Sequence, residues 1–160
     1  MRILVVSDSH KINVNLERVI REQGPFDRLI HLGDCQMSEG EVYALAGCPV
    51  DVVKGNCDCN PFLPSEKIIE IGKYKFLLIH GHTKAVKYNL DRLMYYGLEK
   101  NVDVVLFGHT HQPLNLVLDD IKLINPGSIS VPRQPSRKPS WLVLEVDEEG
   151  EIKYNFNLFG

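Results

Sequence analysis

A chain of 160 residues, 44% apolar and 24% charged, has the length and composition of one globular domain with a substantial core. Its formal charge of -3 lacks the basic footprint of a duplex nucleic-acid binder, so stable duplex binding is not expected. No apolar run approaches the ~20 residues of a membrane span, and Met1-Arg2-Ile3-Leu4 already reads as a strand instead of a signal peptide, which makes the cytoplasm the expected location.

Taken in order, the first half alternates strand and helix. An apolar run over residues 3–6 predicts a strand, and residues 13–22 follow with Val14, Leu16, Val19 and Ile20 on one helical face until Gly24-Pro25 stops it. A strand over 28–31, a helix over 38–46 ended by Gly47-Cys48-Pro49, and a strand over 50–54 complete a pattern of parallel βαβ units. Asn60-Pro61-Phe62-Leu63-Pro64 then interrupts regular structure. Strands over 67–71 and 75–79 flank the hairpin signal Gly72-Lys73. A helix over 87–99 carries Leu90, Leu93, Met94 and Leu98 at core spacing. Residues 104–107 read as a strand buried on both faces. Antiparallel candidates over 114–118, 121–124, 141–146 and 152–156 close the chain, with Asp119-Asp120 and Asp147-Glu148-Glu149-Gly150 as turns. Two mixed sheets stacked face to face with helices outside account best for this order; one open doubly wound sheet is the alternative. With no internal repeat or linker, residues 1–160 are expected to form a single domain.

Five of the apolar runs end in residues able to bind a metal. They lead into Ser7-Asp8-Ser9-His10, Leu32-Gly33-Asp34, Gly55-Asn56-Cys57-Asp58, His80-Gly81-His82 and Gly108-His109-Thr110-His111. Packing gives no reason for acids, an amide and imidazoles at five strand ends, whereas α/β sheets bind ligands outside the carboxyl ends of their strands. Asp8, Asp34 and Asn56 with His10, His80, His109 and His111 are too many donors for one tetrahedral ion. They suit two divalent ions about 3.5–4 Å apart that share a carboxylate. Oxygen and nitrogen donors without thiolates point to manganese foremost, with nickel, iron, cobalt or zinc as alternatives. Such a pair can hold a water between its ions, lower the pKa of that water and clamp a phosphoryl group for in-line attack, so hydrolysis of a phosphate ester is inferred.

The remaining candidates are weaker. Cys35, Cys48, Cys57 and Cys59 form neither a C-x-x-C pair nor a disulfide framework, which leaves reduced thiols as the default. His31 reads as a hydrogen-bonded structural residue, and Asp58 as a carboxylate that orients a neighbour. Arg133, Arg137 and Lys138 lie in a Pro-rich loop that could attract a phosphate. The motifs of P-loop, dinucleotide, zincin and α/β-hydrolase chemistry are missing.

Asp8-x-His10, Gly33-Asp34, Gly55-Asn56-x-Asp58, His80-Gly81 and Gly108-His109-x-His111, in that order, resemble the calcineurin-like metallophosphoesterases. Asn125-Pro126-Gly127-Ser128 extends the resemblance to their small single-domain phosphodiesterase branch, the YfcE family. The resemblance implies a four-layer α-β-β-α sandwich. It places Asp8, His10 and His111 on a first metal, Asn56, His80 and His109 on a second, and Asp34 between them. Asn56, Cys57 and Asp58 are then the expected catalytic residues, and His82, Ser128 and Arg133 the expected substrate contacts. Cys57 stands where many members carry a histidine that helps protonate the leaving group, which implies a preference for esters whose leaving groups need little protonation. A phosphodiesterase acting on a small phosphate ester is the leading expectation. A phosphomonoesterase with the same metals is one alternative, and a non-catalytic scaffold like the retromer relative of this fold is another. That relative has lost an expected site histidine, whereas all seven donor positions are filled here. Exposed sheet edges make a homodimer or higher homo-oligomer a further expectation.

Overall fold

Strand β1 (Arg2–Val6) shows why the molecule is layered. Its side chains alternate, Ile3 and Val5 to one face and Leu4 and Val6 to the other, and all four are fully buried. A strand this apolar needs cover on both faces. In the computed structural model, which describes residues 1–160, a second sheet covers one face and helices cover the other.

The remaining elements are α1 (Val14–Gln23), β2 (Arg28–His31), α2 (Glu39–Ala46), β3 (Val50–Val52), β4 (Glu66–Ile71), β5 (Tyr74–Ile79), a 3-10 turn (His82–Lys84), α3 (Asp91–Glu99), β6 (Val104–Leu106), β7 (Pro113–Leu118), β8 (Ile121–Pro126), β9 (Ser140–Val146) and β10 (Ile152–Leu158). They build two five-stranded mixed sheets with orders β10-β9-β1-β2-β3 and β4-β5-β6-β8-β7. Pairing is parallel for β1-β2-β3 and β5-β6-β8 and antiparallel at the outer pairs. Between the sheets lie Ile3, Val5, Ile30 and Leu32 against Phe76, Leu78, Leu106 and Ile124. Leu4, Val6, Leu16, Val19 and Val42 pack the first sheet against α1 and α2, and Leu77, Leu93, Met94 and Val105 pack the second against α3. This is the four-layer α-β-β-α sandwich, and the single-sheet alternative is excluded. No helix is long and apolar enough to cross a membrane.

Local chemistry explains several boundaries. At the start of α2, Ser38 and Glu41 form a reciprocal capping box, and at its end Gly47 takes the left-handed φ of 66°. The helix expected over 87–99 begins only at Asp91, because Ala85 adopts a φ of 57° and the chain runs through turns before it. Two residues assigned to the core are exposed: Val14 at 71% and Leu98 at 43%. Val14 opens α1 two residues ahead of the buried Leu16 and so points away from its side of the helix, and Leu98 lies one step around α3 from Gly97, which faces Val105 and Ile121.

Candidate metal centre

The carboxyl ends of β1, β2 and β3 in one sheet and of β5 and β6 in the other open on a single rim, where the strand-end residues meet. Asp8, His10, Asp34, His109 and His111 all have left-handed backbone, with φ between 47° and 66°. Such conformations cost about 1–3 kcal/mol for a non-glycine residue and persist where the surroundings enforce them.

The enforcing contacts are visible. The buried Asp58 carboxylate accepts three backbone N–H bonds, from Asp34 at 2.7 Å, Gln36 at 2.6 Å and Gly55 at 2.8 Å. The Ser128 hydroxyl donates to the Asp8 carbonyl at 2.8 Å and accepts from the Val131 amide at 2.7 Å. Asn125 Nδ2 donates to the Gly108 carbonyl at 2.8 Å. Two motif glycines are required by close approach. A Cβ at Gly55 would stand 2.1 Å from Asp34 Oδ1, and one at Gly108 2.0 Å from Ser7 Oγ.

On this frame the donor atoms converge. Asp8 Oδ1 is 3.0 Å from His111 Nε2, and Asp34 Oδ2 is 3.3 Å from His80 Nε2, which also lies 3.1 Å from Asn56 Oδ1. His10 Nε2 stands 3.9 Å from both Asp8 Oδ1 and Asp34 Oδ2. One cluster joins Asp8, His10 and His111, and another Asp34, His80 and His109, each with its donor atoms within 4.8 Å of one another. His80 and His111 turn Nδ1 toward the carbonyls of Leu32 at 2.7 Å and Val131 at 2.6 Å. With Nδ1–H donating there, each Nε2 lone pair faces the acids, the arrangement that orients histidine toward a metal.

Electrostatics point the same way. Burial pushes the Asp8 carboxyl up, but the adjacent His111 and His80 rings and the Ser7 hydroxyl outweigh it and hold Asp8 below its ordinary range. Asp34 is likewise raised by burial and lowered further by His80 and the Cys57 amide, so it stays ionised. Burial, with His80 and Lys87 nearby, brings His109 down to about 4, which leaves its ring neutral. Burial lowers His80, yet Asp34 and Asp8 raise it overall. Asp8 Oδ1 and His10 Nε2 are buried without any hydrogen-bond partner. Unpaired buried lone pairs are costly, and a cation between them would satisfy both. The residues fit divalent metal.

The other candidates divide. His82 is exposed at the rim, its ring 5.5 Å from His80 and 6.1 Å from His109. Arg133 is exposed, donates its backbone N–H to the His111 carbonyl at 3.0 Å, and lines a cavity of about 480 Å³ with Lys87, Tyr88 and Thr110. Ser128, expected as a substrate contact, is fully buried and its hydroxyl is committed to backbone. Asp58, also expected at the chemistry, spends its carboxylate on three amides beneath the site. Asn56 is exposed with its carbonyl toward His80, and Cys57 is half-buried with its amide on Asp34 Oδ1 at 2.8 Å. Sequence reasoning missed Ser7, whose hydroxyl donates to Asp8 Oδ2 at 2.5 Å, and the cavity lined by Lys87, Tyr88 and Thr110. A serine directly before the first acid was the available signal for Ser7.

Comparison with known proteins gives the family. The probable metallophosphoesterase YsnB of Bacillus subtilis is 37% identical over 150 residues, spanning 93% of this chain and 86% of that protein. A Streptococcus pneumoniae structure described as a predicted phosphoesterase superposes with a TM-score of 0.82 at 31% identity, covering 98% of this chain and 88% of that one. Two solved chains at 24% identity share the fold. They are an archaeal phosphodiesterase, with a TM-score of 0.75 and coverage of 99% and 100%, and zinc-complexed Vps29 of Entamoeba histolytica, with 0.76 and 100% of both chains. Residues 1–149 match the model of the calcineurin-like phosphoesterase superfamily domain, and the chain belongs to that superfamily.

Proposed function

We propose that this phosphoesterase is a phosphodiesterase that hydrolyses a small phosphate ester in the cytoplasm at the rim of the two sheets. The observation that carries the reading is the pair of unpartnered buried atoms, Asp8 Oδ1 and His10 Nε2, set among seven convergent donors. Two divalent cations, manganese foremost, held by Asp8, His10 and His111 and by Asn56, His80 and His109 with Asp34 shared, would supply Lewis acidity and a water of lowered pKa for in-line attack.

The chain's own residues orient and select. Asp58 and Ser128 hold the loops that carry Asp34 and Asp8, and Leu32 and Val131 fix the tautomers of His80 and His111. Lys87, whose charge reaches His109, and Arg133 offer positive charge to an anionic ester, and the cavity they line with Thr110 has room for a second ester group. That room supports diester over monoester hydrolysis. Cys57 stands at the rim where a protonating group would serve a poor leaving group, so activated esters are the better substrates. A homodimer through β7 and β10, which expose Val117 at 59% and Leu158 at 50%, belongs to the same reading.

The test is hydrolysis of chromogenic aryl phosphodiesters and monoesters by chelator-stripped protein before and after manganese is returned. Asp34→Asn serves as control. Diester turnover that returns with metal and falls in the variant by more than the 10–100-fold typical of an outer partner is expected. Faster monoester turnover would make the protein a phosphomonoesterase. A folded protein inactive with every metal would be a scaffold, the reading of this fold that the filled donor set disfavours.

A further inference from the structure

We propose that Cys57 is itself a donor of the metal centre, its thiolate joining His10 and Asp34 in a third cluster that gives the site an affinity for softer ions. The inference rests on the metal-centre reading above.

Sequence alone suggests oxygen and nitrogen donors only. The structure brings Cys57 Sγ, a His10 ring nitrogen and an Asp34 carboxylate oxygen within 4.8 Å of one another. That span matches the other two clusters, which share His10 and Asp34 with it. Metal–nitrogen and metal–sulfur bonds of about 2.0–2.3 Å place donors at such separations once side chains rotate slightly inward. Two observations beyond the cysteine point to a cation there. His10 Nε2 is buried and lacks any partner, and so does Asp8 Oδ1, fully buried and 3.9 Å from it. The Cys57 backbone is fixed to the cluster by the hydrogen bond its N–H donates to Asp34 Oδ1 at 2.8 Å, and its sulfur already accepts from Asn56 Nδ2 at 3.4 Å.

The other thiols supply the contrast. Cys59 is exposed and outside every donor cluster, Cys35 is buried with its thiol on the Met37 carbonyl at 3.4 Å, and Cys48 lies in the core under α2. Coordination breaks the S–H bond, releases the proton to solvent and places a sulfur lone pair on the cation. A thiolate shifts preference from manganese toward zinc, iron or cobalt.

Titration of the chelator-stripped full chain with cobalt(II) tests this by absorption. Ligand-field bands report binding, and a near-ultraviolet sulfur-to-cobalt charge-transfer band reports the thiolate. The expected result is a charge-transfer band that Cys57→Ser abolishes and Cys59→Ser keeps. Cys57→Ser should also lower the preference for zinc over manganese by about ten-fold or more, at least what loss of an outer partner costs. In the unmodified protein, zinc should slow alkylation of Cys57 but not of Cys59, a measurement that needs no variant to fold. Ligand-field bands without charge transfer, or charge transfer surviving in Cys57→Ser, would overturn the proposal and leave the metal centre standing. No cobalt binding at all would overturn both.

Discussion

The sheet built on β1, β2 and β3 ends in Asp8, His10, Asp34, Asn56 and Cys57, whereas the one built on β5 and β6 ends in His80, His109 and His111. Every carboxylate of the centre comes from the first, and the second brings imidazoles alone. The closest contacts therefore cross between layers, Asp8 to His111 at 3.0 Å and Asp34 to His80 at 3.3 Å. Two of the three donor clusters, Asp8 with His10 and His111 and Asp34 with His80 and His109, draw on both sheets. Apolar packing of Ile3, Val5, Phe76 and Leu106 joins the layers in the middle, and polar pairs join them at the rim. A cation at the rim would thus tie the two sheets together.

Removing metal is the strongest way to break that tie. At metal concentrations near 1,000 times the dissociation constant, binding contributes about 4 kcal/mol. For a chain of this length that is roughly 8–16 °C in Tm. Scanning calorimetry with and without chelator should show a fall of that size; an unchanged Tm would mean that the layers do not depend on a cation.

A second way is to charge the wall between the two acid-bearing loops. His31 is fully buried, with Nε2 2.9 Å from Ser9 Oγ and Nδ1 accepting from the Gly33 amide at 3.3 Å. Burial lowers it from 6.5 to about 4, so the native state refuses a proton that the unfolded chain accepts. Its stabilising contribution is complete above pH 6.5 and is lost as pH falls toward 4. The loss is about 3 kcal/mol. Between pH 7 and 4 the Tm of the parent should fall more steeply than that of His31→Gln, and parallel slopes would assign the acid sensitivity elsewhere.

The smallest effect sharpens the comparison on the first sheet alone. Asp58→Asn removes the charge that gathers the amides of Asp34, Gln36 and Gly55 and leaves the second sheet untouched. Metal affinity should fall 10–100-fold by calorimetric titration with the circular dichroism spectrum unchanged. Full affinity would show that the Asp34 loop holds itself.

Much of this was legible in the residues. All ten strands follow from apolar runs and alternation, and the donors follow from residue type at strand ends, because both signals are local. The α3 start was not, since a left-handed Ala85 carries no sequence mark. Nor was the burial of Ser128, whose partner Asp8 is at the other end of the chain. Cys57 reads as a small buried hydrophobe or a replaced histidine until its distance to His10 and Asp34 is known. Identity and period are written along the chain; the direction of a hydroxyl or thiol depends on contacts made across it.

The strand order also carries a consequence for birth of the molecule. The second sheet is one continuous stretch, β4 to β8, inserted into the first, whose β1 pairs with β9 so that Arg2 stands opposite Glu145. Long-range pairing of this kind is slow to form. On the ribosome, the imidazole-bearing sheet can close while the acid-bearing one still waits for its last two strands.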